Sequence, residues 1–112
     1  MDQESKALKE ELIAKAREKF NLQVIRSQKH YQQGQAYFNE KRFKEATQEF
    51  TKALSLTPNN PKILRAREQA VYQSRVDDVR NQTNSAIEKL EAGDVKSSRK
   101  QLEDVLTNFP NE

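Results

Sequence analysis

Between Ser27 and Asn60 the chain places Gly34, Tyr37, Ala46, Phe50, Ala53 and Pro58 at intervals that a hairpin of two antiparallel helices explains. Gly34 and Ala46 are small where two helices must approach closely, and Tyr37, Phe50 and Leu54 are large enough to fill the space beside that contact. Pro58 then stops the second helix, because proline lacks an amide donor and clashes with the preceding turn.

Over these thirty-four positions the spacing resembles a tetratricopeptide repeat, with Gly34, Tyr37, Ala46, Phe50, Ala53 and Pro58 at the signature offsets. The resemblance implies a helical-hairpin fold and a role in binding proteins or peptides.

The rest of the chain extends the same architecture. Only two Gly and three Pro interrupt 112 residues, so the chain has room for few, long helices. The first is expected from Asp2 or Ser5 to about Glu40, with Ile13, Ala16, Phe20, Val24, Ser27, Tyr31, Gly34 and Phe38 stepping by three or four along one stripe. The second is expected over Phe43–Leu56, ended by Thr57-Pro58. Asn60 followed by Pro61 is a helix start, an asparagine cap before a proline at the first helical position. The third helix runs from there to about Glu91, with Leu64, Val71, Tyr72, Val76, Val79, Thr83, Ala86, Ile87 and Leu90 read as a buried stripe. Ala92-Gly93 closes it, Asp94 caps a fourth helix over about Val95–Thr107, and Asn108-Phe109-Pro110 ends that one. Val95, Leu102, Val105 and Leu106 are its apolar residues.

Sliding the chain along itself by 52 residues aligns Gly34 with Ala86, Phe38 with Leu90, Ala46 with Ser98, Phe50 with Leu102, Leu54 with Leu106 and Pro58-Asn59 with Pro110-Asn111. Residues from about Val79 to Glu112 therefore read as a degenerate second repeat. The expected fold is all-α: tandem helix-turn-helix hairpins of two long and two short antiparallel helices, in one domain whose extended units are residues 1–60 and 61–112. The chain stops where the next helix of an array would start, so it is expected to be part of a larger protein.

Binding residues follow from the resemblance. The first helix of each repeat lines a groove in this family, which implies that Gln28, Tyr31, Gln32, Gln35 and Asn39, and then Thr83, Asn84, Ile87 and Glu91, face a ligand. Side-chain amides both donate and accept, so such a surface suits an extended peptide backbone without demanding a particular charge. Tyr31 and Gln35 stand where members that grip a terminal carboxylate carry Lys, Asn or Arg, so a chaperone-tail receptor is not implied. The alternative reading starts from Leu8, Leu12, Ile13 and Phe20, which lie beyond any cover the second helix supplies. They are expected to pack on the opening turns of the third helix, or else to pair two copies of the chain as a homodimer.

Other function classes find little support. Net charge is +3, but the excess is confined mainly to Lys41, Arg42 and Lys44 at a helix turn, where solvated charge is the ordinary role, so no nucleic-acid partner is expected. There is no Cys, and His30 is the single histidine, which leaves no metal-ligand set. Glu10-Glu11 and Asp77-Asp78 are adjacent pairs whose side chains diverge on a helix, and no glycine-rich phosphate loop is present. The chain reads as a non-enzyme without cofactors. It has no signal-peptide character and no apolar run long enough to span a bilayer, so it is expected to be soluble and, by default, cytoplasmic.

Overall fold

The computed structural model describes residues 2–108, and among these there are four helices and no strand. They are α1 (Asp2–Asn39), α2 (Phe43–Leu56), α3 (Pro61–Glu91) and α4 (Val95–Asn108). The bounds agree with the sequence reading to within a residue or so; the expected stop at Phe109-Pro110 lies outside the described residues. The chain divides into two compact units, Met1–Ala70 and Val71–Glu112.

Local chemistry sets the helix ends. Asp2 and Glu4 place negative charge in the first turn of α1, against its positive dipole end. At its other end Lys41 takes a left-handed conformation (φ 63°), so that its own N–H reaches the Phe38 carbonyl and the Arg42 N–H reaches the Tyr37 carbonyl, each at 2.9 Å. The end of α3 repeats this cap with Gly93 (φ 87°), whose N–H donates to the Leu90 carbonyl at 3.0 Å while the Asp94 N–H donates to Lys89 at 2.8 Å. Asn60 Oδ1 accepts from the N–H groups of Lys62 (3.0 Å) and Ile63 (3.4 Å), and Asp94 Oδ1 accepts from Ser97 N–H (3.1 Å). Arg42, in the corresponding place before α2, makes no such side-chain cap. Its guanidinium lies 4.7 Å from the centre of the Tyr37 ring and within 3.5 Å of Glu40 and 3.7 Å of Glu45, while about half of the side chain stays exposed.

In the first unit the core is built from Tyr31 of α1, Ala46, Phe50, Ala53 and Leu54 of α2, and Ile63 and Ala70 of α3, with Tyr37, Phe38, Leu64 and Ala66 packed at its edge. At Gly34 the Phe50 ring of α2 packs directly against α1. A Cβ on Gly34 would stand 2.5 Å from Phe50 Cε1, so only a residue without a side chain admits the fully buried ring. Ser27, also buried, donates from Oγ to the Ala53 carbonyl at 2.9 Å and lies 2.6 Å from Thr57 Oγ1. His30 Nδ1 donates to the Glu49 carboxylate at 2.8 Å, a half-exposed structural role.

Two expectations about burial do not hold. The stripe Leu8, Leu12, Ile13 and Phe20 lies beyond α2, as expected, but it is exposed and so is not packed on the start of α3. Length puts it out of reach of α2, which at 14 residues spans about 21 Å, against about 57 Å for the 38 residues of α1. On α3, only Ala86 of the expected inner stripe is buried in the second unit; Val71, Tyr72, Ile87 and Leu90 are exposed. In α4 only Ser98 is buried, and Val95, Leu102 and Leu106 are exposed. The small-residue contact of the first unit is thus kept at the aligned positions, but the large side chains around it lack cover.

Candidate functional site

On either side of the Gly34 contact, from Tyr31 to Asn39, an edge of α1 faces the second and third turns of α3. Tyr31, Gln35, Phe38 and Asn39 from α1, Phe50 from α2, and Ala66 and Gln69 from α3 line an open concavity of about 270 Å³. The floor is aromatic: Phe50 and Tyr31 lie with ring centres 5.7 Å apart. The rim carries three amides, Gln35, Asn39 and Gln69. Gln35 Nε2 donates to the Tyr31 hydroxyl at 2.9 Å, which fixes the amide plane beside the cavity. Lys62 Nζ lies 5.0 Å from the centre of the Tyr31 ring.

Three of the residues singled out from the sequence, Tyr31, Gln35 and Asn39, therefore line one concavity. Gln28 and Gln32 are exposed on α1 and do not line it. Tyr31 has a double role, since most of its side chain is core and only its edge reaches the cavity. Ala66 and Gln69 were missed. The signal for them is the helix start at Asn60-Pro61, which returns the chain alongside α1 so that the second and third turns of α3 become a wall.

The second unit is different. Thr83 is half-buried, while Asn84, Ile87 and Glu91 are exposed. None of the four lines the open depression of that unit, which Gln82, Lys89, Ser97, Lys100, Gln101, Asp104 and Asn108 surround. Gln101 Oε1 is buried there without a protein partner.

Electrostatics are mild. Glu49 is the one carboxyl near the core whose titration moves: the hydrogen bond from His30, aided by Lys52 Nζ at 3.2 Å, holds it below the usual carboxylate range against the opposing effect of burial. Among the described residues no group of three or more His, Asp or Glu side chains could hold a metal ion, and no helix is long and apolar enough to cross a membrane.

Comparison with protein families matches residues 27–60 to the tetratricopeptide repeat. Comparison with curated proteins and with solved structures returns no match.

Proposed function

Residues 27–60 being a tetratricopeptide repeat, a unit that generally mediates protein–protein interaction, we propose that this chain is a protein-interaction module, a scaffold or adaptor that takes a peptide or protein segment in the concavity beside Tyr31. The observation that carries this reading is the pairing of an aromatic floor, Tyr31 and Phe50, with the amide rim of Gln35, Asn39 and Gln69. An apolar side chain of the partner fills the cavity while the amides bond its backbone, so affinity requires no charge on the ligand. Gln28 and Gln32, exposed along the same helix, extend the polar surface. The second unit adds Thr83, Asn84 and Ile87 as further contact positions.

The test is a peptide-library selection on wild type, followed by affinity measurement on Gln35→Ala and Asn39→Ala. These positions are exposed, so the variants keep the fold, whereas Tyr31→Ala would remove core. Each lost amide contact is expected to weaken binding by about tenfold, roughly 1.4 kcal/mol. Unchanged affinity in both variants would remove the concavity from the reading.

A second reading rests on a separate observation. Leu8, Leu12, Ile13 and Phe20 form an exposed apolar stripe, and such stripes on helices are covered by other helices. On this reading the chain also associates with itself through α1.

A further inference from the structure

The segment that leaves α1 uncovered occurs twice in the chain. Residues 13–18 read Ile-Ala-Lys-Ala-Arg-Glu and residues 63–68 read Ile-Leu-Arg-Ala-Arg-Glu. Four of the six residues are identical, and Lys15 and Arg65 share a charge. In the second occurrence the structure shows what the motif does: Ile63 (2% exposed), Ala66 and Ala70 lie on one face of α3 and close the core over Tyr31, Phe50 and Leu54. In the first occurrence the same face presents Ile13, Ala16 and Phe20 at the same spacing, and Ile13 is 42% and Phe20 61% exposed.

The surface such a segment covers is also present a second time. The 52-residue alignment places Leu102 and Leu106 of α4 where α2 has Phe50 and Leu54. Phe50 and Leu54 are buried beneath Ile63 and its neighbours, but Leu102 is 38% and Leu106 73% exposed. Sizes compensate as well. The first unit sets Tyr31 and Phe50 against the small Ala70, whereas the aligned Thr83 and Leu102 are smaller and the residue in Ala70's place on α1 is the larger Phe20.

We propose that the Ile13–Phe20 face of α1 in one copy packs on the α3–α4 hairpin of a second copy, over Leu102 and Leu106, as Ile63–Ala70 packs on the α1–α2 hairpin within the chain. This rests on the self-association reading and specifies its geometry. The two surfaces differ, so the contact is heterologous: each copy in a pair keeps one surface free, and the pair as a whole keeps one of each kind, on which further copies add.

Sedimentation velocity of the full chain over a range of concentrations tests this with two variants, Ile13→Asp/Phe20→Asp and Leu102→Asp/Leu106→Asp. All four positions are exposed, and circular dichroism checks that helix content is retained. Wild type is expected to grow beyond the dimer as concentration rises, and each variant alone is expected to associate at least tenfold more weakly. An equimolar mixture of the two variants is expected to form a one-to-one dimer that grows no further, because each supplies the surface the other lacks. A wild type that stays monomeric throughout overturns both this geometry and self-association itself. If the Leu102→Asp/Leu106→Asp variant associates like wild type, the head-to-tail contact is wrong while self-association through α1 stands. Two monomeric variants whose mixture yields no dimer also overturn it.

Discussion

Gly34 faces two opposing effects that differ in size. Replacing glycine by alanine inside a helix gains about 1 kcal/mol of propensity, but a Cβ placed 2.5 Å from the Phe50 ring forces a buried aromatic to move, at about 1–3 kcal/mol. Because Phe50 is held between Tyr31 and α3, the second effect wins, and Gly34→Ala is expected to lower stability by up to about 2 kcal/mol, read as a lower urea midpoint with an unchanged slope. A rise in the midpoint would mean the ring has room that the packing denies. The Glu49 carboxyl provides a pH-dependent counterpart. Its pKa in the fold is depressed, so its contribution is fully present above the pKa of the unfolded chain and fades as pH falls through the lower folded value. Urea midpoints measured from about pH 6 to about pH 3 are expected to fall, and Glu49→Gln is expected to flatten part of that fall. Identical profiles would show that the Glu49 charge contributes nothing to the acid dependence of folding.

Among the elements, the two long helices end in the same backbone cap built from different residues, Lys41 on α1 and Gly93 on α3, 52 positions apart. A side chain at positive φ costs about 1 kcal/mol, which glycine avoids. Lys41→Gly is therefore expected to stabilise by about 0.5–1 kcal/mol and Gly93→Ala to destabilise by a similar amount. Nothing lies within 4 Å of where a Cβ on Gly93 would stand, so backbone strain alone sets that loss, and thermal melts of the two variants should move in opposite directions. Helix ends were readable because Asn60-Pro61, Gly93 and Asp94 act locally. The Lys41 cap was not, since lysine carries no preference for that conformation. Burial was read less well: helical spacing says that Ile13, Ala16 and Phe20 share a face, and Tyr72, Ile87 and Leu90 likewise, but not whether any element is long enough to cover it. The candidate site shows the same division. Gln35 and Asn39 followed from the resemblance, which sets the first helix of a repeat toward a groove, while Ala66 and Gln69 depended on where α3 returns.

At the scale of the molecule, stability is unevenly distributed. Among the described residues the first unit buries a connected aromatic and aliphatic core, whereas the second fully buries only Ala86 and Ser98. Burying one large apolar side chain contributes about 1.5–3 kcal/mol, so the second unit is expected to open first. Hydrogen exchange should show α4 amides exchanging at least tenfold faster than those of α2, and equal protection would refute the uneven distribution. The hydroxyl pair in the first unit has a different consequence. Ser27 Oγ is 2% exposed and has its acceptor, the Ala53 carbonyl, on the facing helix, with Thr57 Oγ1 completing the pair. Sliding α2 by one turn along α1 would carry the Phe50 ring off Gly34, where the missing Cβ makes room for it. It would also strand a desolvated hydroxyl, at a cost of about 1–3 kcal/mol. Ser27 thus works as a vernier, a polar check on the axial alignment of the hairpin that the Gly34 notch sets sterically.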